Sequence, residues 1–156
     1  MLLCTLLGMP VEGLPDDAAQ PLSIDADSVT YDDDPDGIIE LLGNVKLQQG
    51  TLHITAERIS ATKRDDKLNR VLATGADDEP VRFQQQVDAE EPPARGRAQT
   101  IDYSIEQERA KLTGDAFLAV GQREYNGGTI VWDMKENRVD CQAGCQFTEH
   151  PPKPVD

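Results

Sequence analysis

The fold is decided by residues 41–56, which read Leu41-Leu42-Gly43-Asn44-Val45-Lys46-Leu47-Gln48-Gln49-Gly50-Thr51-Leu52-His53-Ile54-Thr55-Ala56. Within this stretch, residues 45–48 and 52–56 alternate apolar and polar side chains, and Gln49-Gly50 between them is a turn signal. Because successive side chains of a strand point to opposite faces, the alternation predicts two half-buried antiparallel strands joined by a turn.

The same alternation recurs along the rest of the chain, at residues 22–26, 81–83 and 101–103. Residues 57–69 carry the densest charge but no apolar stripe at helical spacing. Turn signals separate the alternating groups at Asp36-Gly37, Gly43-Asn44, Gln49-Gly50, Gly75, Gly114-Asp115 and Asn126-Gly127-Gly128. Groups repeating about every ten residues are typical of a β-sandwich, jelly roll or barrel, so we predict an all-β fold.

The chain also repeats itself. Residues 41–47 match residues 112–118 at an offset of 71, and residues 26–31 match residues 98–103 at an offset of 72. A duplicated strand–turn–strand unit is typical of stacked β repeats, in which each unit buries its apolar face against its neighbours. We expect residues 87–96 to form an exposed loop between the two halves.

Composition restricts the functions that are open to the chain. It has 156 residues, 29 Asp and Glu against 15 Lys and Arg, and a formal net charge of −14. One domain is expected at this length. The acidic balance argues against nucleic acid as a partner, and no apolar run approaches the roughly 20 residues of a membrane-spanning helix.

The first residues form a separate segment. Residues 1–9 are apolar but too short to span a bilayer, and small residues follow at Val11 and Gly13. We interpret them as the end of a secretory signal peptide, and the alternative is a frayed terminus with exposed leucines. We divide the chain into a signal-peptide remnant at 1–13, an N-terminal linker at 14–21, a β domain at 22–148 and a flexible tail at 149–156.

Cys141 and Cys145 lie four residues apart around Gly144, a span that a turn can close within disulfide geometry. Export would favour a disulfide here, because exported proteins fold in an oxidising compartment. Two unpaired thiols are a second interpretation. A zinc site with His150 is a third, although it lacks a fourth ligand and fits no standard zinc spacing.

The sequence contains no recognisable catalytic pattern. It has no glycine-rich phosphate loop, nucleophile elbow or histidine-rich metal motif. His53 is expected on the solvent side of its strand and His150 in the tail. The carboxylate clusters at 32–34 and 77–79 fall at turns, where Asp is common for conformational reasons. We therefore predict a protein that is not an enzyme and needs no cofactor or metal.

Several short motifs follow one another in a fixed order along the chain. They are residues 20–27, 43–45, 49–51 and 54–57 in the first half, and 96–98, Tyr103 and 112–118 in the second. In order and spacing these motifs resemble the LptA (OstA-like) family of periplasmic lipopolysaccharide transport proteins. The resemblance covers about residues 20–148, and the ordered set is specific although no single motif is.

The resemblance implies an open, twisted antiparallel β jelly roll that binds the acyl chains of lipid A in an apolar interior groove. It implies a bridge in the periplasm, with an LptC-like inner-membrane protein at the N-terminal strand edge and an LptD-like outer-membrane protein at the C-terminal edge. Unpaired edges favour partners that add a strand, so head-to-tail homo-oligomers are also expected.

Alternation and the resemblance together give nine candidate groove residues. Four of them, Leu22, Phe83, Tyr103 and Ile105, match positions where the family contacts lipid. The alternative for each is a place in an ordinary core. Val29, Ile54, Ile59 and Ile130 are further in-facing positions, and Trp132 is left open between the core and the C-terminal edge. The groove candidates are Leu22, Ile24, Val45, Leu47, Phe83, Ile101, Tyr103, Ile105 and Leu118.

Two functions remain open at this stage. The first is a lipopolysaccharide-carrying bridge, in which burial of acyl CH₂ groups at about 0.8 kcal/mol each outweighs repulsion between an acidic protein and an anionic head group that stays outside. The second is a structural or scaffold β-repeat protein with a filled core and no lipid ligand.

Overall fold

A computed structural model describes residues 19–86 and 89–152 of the chain. Its regular structure consists of twelve β-strands, which confirms the predicted all-β fold. Within these ranges, no helix has the length and apolar character needed to cross a membrane. The strands are β1 (Leu22–Asp25), β2 (Ser28–Tyr31), β3 (Ile38–Gln49), β4 (Leu52–Arg64), β5 (Lys67–Thr74), β6 (Val81–Gln85), β7 (Ala94–Ala98), β8 (Thr100–Ser104), β9 (Arg109–Val120), β10 (Arg123–Asp133), β11 (Arg138–Gln142) and β12 (Gln146–Glu149).

Four long strands, β3, β4, β9 and β10, each pair with different short strands along their two halves. The strands therefore form two sheets that share their long members. Sheet I has the order β2-β3-β4-β5-β8-β9-β10-β11, and sheet II has the order β1-β3-β4-β6-β7-β9-β10-β12. All pairings are antiparallel, as predicted for an open jelly roll.

The long strands pass from one sheet to the other at bulges. Gly43-Asn44 and Gly114-Asp115, which we predicted as turns between strands, lie inside β3 and β9 and have positive φ angles. Successive left-handed residues leave the hydrogen-bond ladder and bend the strand. The Asp27 amide donates to the Gly43 carbonyl at 2.9 Å, and the equivalent Gln99 amide donates to the Gly114 carbonyl at 3.1 Å. The turn prediction is wrong at these two positions and at residues 126–128, which lie inside β10.

The sequence repeat is also a structural repeat. Strands β7 to β12 pair with one another in the same pattern as β1 to β6, and the two units meet through β5–β8 in sheet I and β6–β7 in sheet II. The predicted loop at 87–96 is therefore partly wrong, because Ala94–Gly96 already belong to β7 and Ala94 is fully buried. Strands β1 and β2 form one edge of the protein, and β11 and β12 form the other.

The core lies between the inner faces of the two sheets. It is built from the apolar member of each alternating pair, with Leu41, Ile59, Leu112, Leu118 and Ile130 fully buried. Removing such a side chain from water contributes about 1.5–3 kcal/mol, so the repeated alternation is itself the main source of stability.

The ends of the described ranges bear on the domain boundaries. Strand β1 begins at Leu22 and β12 ends at Glu149. The His150 amide, in the segment 149–156 that we predict as a tail, donates to the Gln122 carbonyl at 2.7 Å. The division of the chain into segments stays a prediction. The leader at 1–13 and most of the linker lie outside the described residues.

Candidate functional site

The two sheets enclose an apolar cleft at the middle of the molecule. Its free volume is about 20 Å³, which is close to the space that one water molecule needs. The cleft is therefore filled by its own side chains in this state. Those side chains belong to Leu52, Ile54, Phe83, Gln85, Ile101, Tyr103, Ala110, Trp132 and Met134.

Phe83 and Trp132 close the cleft from opposite sheets. Phe83 lies on β6 of sheet II and Trp132 on the part of β10 that belongs to sheet I, and their stacked rings have centroids 6.3 Å apart. Trp132 is 3% exposed, so the structure places it in the core, which the sequence had left undecided. Phe83 is half-buried and lies over Gly96 of β7, where a Cβ atom would be 2.1 Å from the ring.

The two sheets are least tied together beside this aromatic pair. In the described part of the chain, β5 pairs with β8 and β6 pairs with β7, with no ladder between the two pairs. Tyr103 and Ile101 on β8 face Phe83 on β6 across this gap. Separation of the sheets here would break side-chain packing but no strand ladder of the described residues.

The predicted groove residues fall into three groups. Phe83, Ile101 and Tyr103 line the cleft itself. The second group is buried deeper in the same core, and consists of Val45, Leu47 and Leu118. The third group is half-buried at the margins of that core, and consists of Leu22 and Ile24 on β1 and Ile105 just after β8.

Val29 takes the in-facing position that alternation gave it, but it is not buried. It pairs with buried Leu41 and points to the same side of sheet I, yet its side chain is 52% exposed. The reason is that β2 is an edge strand, so only one neighbour covers it. Tyr31 on the same strand is 58% exposed, and Phe147 on β12 at the opposite edge is also 58% exposed. Both edges thus leave apolar side chains where a further strand would bury them.

A buried cation marks the end of the inner face near β2. Among the described residues, Lys63 is the only charged side chain that is buried, at 6% exposure. Its Nζ donates to the Tyr31 hydroxyl at 3.1 Å and lies 4.3 Å from the centroid of that ring. Burial lowers the pKa of Lys63, but the hydrogen bond to Tyr31 and the carboxylates of Asp66 and Asp33 outweigh it, so the net pKa is raised. Lys63 is therefore charged at neutral pH.

Comparison with known proteins shows the family of this chain. The family model described as LptA/(LptD N-terminal domain) LPS transport protein matches residues 23–138. The chain belongs to this LptA family. The family resemblance found in the sequence is thereby confirmed.

Among curated relatives in the LptA family, the lipopolysaccharide export system protein LptA of Haemophilus influenzae is 29% identical over 126 residues, covering 81% of this chain and 72% of the relative. The protein of the same name from Escherichia coli is 26% identical over 131 residues, covering 84% and 69%. The crystal structure of LptH, described as the LptA homologous periplasmic component of the lipopolysaccharide transport device of Pseudomonas aeruginosa, matches with a TM-score of 0.74. At 23% identity it covers 88% of this chain and all of that chain, which supports the LptA fold.

The cysteines of this LptA-family chain form a covalent link at the C-terminal edge. Cys141 and Cys145 are joined by a disulfide with Cα atoms 6.0 Å apart, and it closes the connection between β11 and β12. Gly127 on β10 lies beneath it, where a Cβ atom would be 2.5 Å from the Cys141 sulfur. His150 lies beside Glu124 instead, with Nε2 and Oε2 3.5 Å apart. The described residues contain no group of three or more His, Cys, Asp or Glu placed to hold a metal ion.

Sequence reasoning missed five residues of the cleft, and one of them, the polar Gln85, could not be expected from a pattern of apolar residues. Leu52 begins the β4 alternation and Ala110 alternates with Leu112 in β9, so both were available from the pattern. Trp132 alternates with the in-facing Ile130, which was the signal for its burial. Met134 follows the last residue of β10, and no periodicity could have identified it.

Proposed function

We propose that this protein binds lipopolysaccharide in the periplasm, with acyl chains of lipid A between its two sheets, and passes it from an inner-membrane complex to an outer-membrane translocon. One observation carries the proposal: a chain of the LptA family has a continuous apolar face enclosed by two sheets, and its four long strands bend from one sheet into the other. Its relatives are named lipopolysaccharide export proteins.

Lipid entry requires the cleft to open, because its free volume of about 20 Å³ cannot hold an acyl chain. The opening would occur between the β5–β8 and β6–β7 pairs and would separate Phe83 from Trp132 and Tyr103. Each acyl CH₂ that replaces these contacts contributes about 0.8 kcal/mol, so a chain of several carbons can offset the lost packing. The anionic head group would stay outside, since the protein carries a net charge of −14.

The exposed edges provide the bridge. We propose that β1 and β2 pair with an LptC-like protein and that β11 and β12 pair with an LptD-like protein, each by addition of strands to the sheets. The internal junction between the two repeats is the template, because β5 and β6 already meet β8 and β7 in this way. Strands β11 and β12 correspond to β5 and β6, and β2 and β1 correspond to β8 and β7.

The template also gives a register for head-to-tail pairing of two copies. Inside the chain, Val71 lies opposite Tyr103. Val139 has the place of Val71 in the second repeat, and Tyr31 has the place of Tyr103 in the first. The same pairing would therefore place Val139 of one copy opposite Tyr31 of the next. In the same register, Arg138 lies opposite Asp32 of the next copy. In sheet II, the pairing of Phe83 with Gly96 places Phe147 opposite Ile24 of the next copy. The exposed Val29, Tyr31 and Phe147 would all become buried.

Photo-crosslinking tests the lipid-binding function. A photoreactive amino acid at Phe83 should capture lipopolysaccharide in cells, whereas the same group at the outward-facing Lys46 should not. Lys46 is a matched control because it lies on the exposed face of sheet II, between buried Val45 and Leu47. Equal capture at both positions, or none at Phe83, would contradict the proposal. The scaffold interpretation predicts no lipid adduct at either position.

A further inference from the structure

The arginines of this acidic protein divide into two sets. All nine lie in the described residues, and six of them form ion pairs with carboxylates. These six pairs are Arg58–Glu40, Arg64–Glu106, Arg70–Asp102, Arg109–Asp133, Arg123–Glu149 and Arg138–Asp140. The other three, Arg82, Arg95 and Arg97, have no carboxylate of the described residues within ion-pair distance.

These three arginines are neighbours on one surface. Arg82 on β6 lies directly opposite Arg97 on β7, and Arg95 lies two residues before Arg97 on the same face of the strand. This is the outer face of sheet II. Gly96, which lies between Arg95 and Arg97, is paired with the buried Leu118 and therefore faces the inner side. Side chains directly opposite are about 5 Å apart at Cβ, and alternate residues on one strand are about 7 Å apart. The three guanidinium groups can therefore reach a single small anion.

The arrangement is unfavourable for the protein alone. Like charges directly opposite on neighbouring strands destabilise a sheet. Among the described residues, the other six arginines each have a carboxylate partner and these three have none. Departures from local rules of this kind are expected at functional sites.

The arginines surround a shallow cleft of about 350 Å³ on the outer face. Its other lining residues include His53, Thr55, Gln84 and Phe117. The Arg97 guanidinium carbon lies 4.7 Å from the centroid of the half-buried Phe117 ring, which holds this side chain over the cleft. The imidazole, hydroxyl and amide groups provide further hydrogen-bonding partners beside the cations.

We propose that this outer-face cluster of Arg82, Arg95 and Arg97 binds a phosphomonoester carried on a saccharide. A phosphomonoester carries nearly two negative charges and three terminal oxygens, which suits three guanidinium groups better than a carboxylate with one charge. A cleft of this volume is at the small end of ligand sites and fits a group of monosaccharide size. The site and the apolar cleft lie on opposite faces of sheet II, so this inference does not depend on the proposed lipid transport.

Nuclear magnetic resonance of the arginine Nε–Hε groups tests the site in the full chain. Titration with glucose 6-phosphate should move the signals of Arg82, Arg95 and Arg97 to saturation, and leave those of Arg64 and Arg138 in place. Glucose should cause no shift, and inorganic phosphate should bind more weakly. The double variant R82Q/R97Q should weaken glucose 6-phosphate binding by about tenfold or more, because it removes two charged hydrogen-bond donors from the phosphate. R64Q is the matched control and should bind normally.

Three outcomes would overturn the inference. Non-saturating shifts of equal size at all arginines would indicate general charge screening. Equal affinity for glucose 6-phosphate and inorganic phosphate would remove the saccharide from the assignment. Shifts of the three signals with protein concentration alone, together with loss of the concentration-dependent Arg95 shift in R82Q/R97Q, would mean that an acidic segment of a second copy occupies the site.

Discussion

The ring of Phe83 lies against the backbone of Gly96 on the neighbouring strand, so closely that a Cβ atom at residue 96 would be 2.1 Å from Cε1 of the ring. The absence of a side chain at residue 96 lets the ring turn inward towards Trp132 and close the cleft. The position of the aromatic pair thus depends on one glycine in a strand of the second repeat.

Replacement of Gly96 by Ala should displace Phe83 and destabilise the protein by about 1–3 kcal/mol, the usual cost of forcing extra volume into a packed site. Urea unfolding would measure the loss. In the double variant F83A/G96A, the Gly96 substitution should cost little, because the ring that it clashes with is gone. If the costs of F83A and G96A simply add in the double variant, the clash with Phe83 is not the reason that G96A is destabilised.

The disulfide between Cys141 and Cys145 closes a very short loop, so it should stabilise the fold less than a disulfide that closes a long one. The chain-entropy relation gives about 2 kcal/mol for a loop of this size. The variant C141S/C145S should therefore remain folded and unfold at a lower urea concentration than the oxidised wild type. Intact mass should rise by two hydrogens when the oxidised protein is reduced, and an unchanged mass would rule out the disulfide.

Asp133 should make the protein sensitive to acid. Its pKa is lowered, first because the carboxylate accepts the Glu136 amide and second because Arg109 donates to it at 2.9 Å. A carboxylate with a lower pKa in the folded state stabilises the fold above its unfolded pKa, about 4, and loses that contribution as the pH falls through the folded pKa. The free energy of unfolding should therefore decline more steeply below about pH 4 in the wild type than in D133N. Parallel pH profiles from urea titrations would contradict this role.

The proposed register between two copies can be tested by reversal of charge. R138E should weaken head-to-tail association by about twofold to tenfold, since it places two acids opposite each other at an exposed rim. The double variant D32R/R138E should restore association, because the opposite charges are exchanged. R64E is a control away from both edges, although it also breaks the pair with Glu106. Sedimentation velocity would measure these effects, and failure of the double variant to recover would mean that the register is wrong.

Much of the fold could be predicted because alternation reports directly which face of a strand is buried. Val45, Leu47, Ile101 and Leu118 were found inward for this reason. Alternation does not reveal how many neighbours a strand has, so it placed Val29 inward without showing that its strand is an edge. It also left Trp132 undecided, although β10 is covered by β9, β11 and β12.

The bulges were missed for a different physical reason. Gly-Asn and Gly-Asp pairs supply the same left-handed conformations to a tight turn and to a bulge, so the dipeptide alone cannot separate the two. The length of β3, which continues through Gly43-Asn44, decides between them. The arginine cluster could not be predicted from the sequence either. Arg82, Arg95 and Arg97 become neighbours only because β6 pairs with β7.

Entry of lipid A acyl chains into the cleft between the sheets can be measured through Trp132, the single tryptophan of the chain. Bromine atoms on an acyl chain quench indole fluorescence only at close range. Saturation with lipopolysaccharide whose acyl chains carry bromine should strongly reduce Trp132 fluorescence relative to saturation with unbrominated lipopolysaccharide. Equal fluorescence in the two complexes, with binding of both verified, would show that the acyl chains do not reach the cleft and would contradict the account.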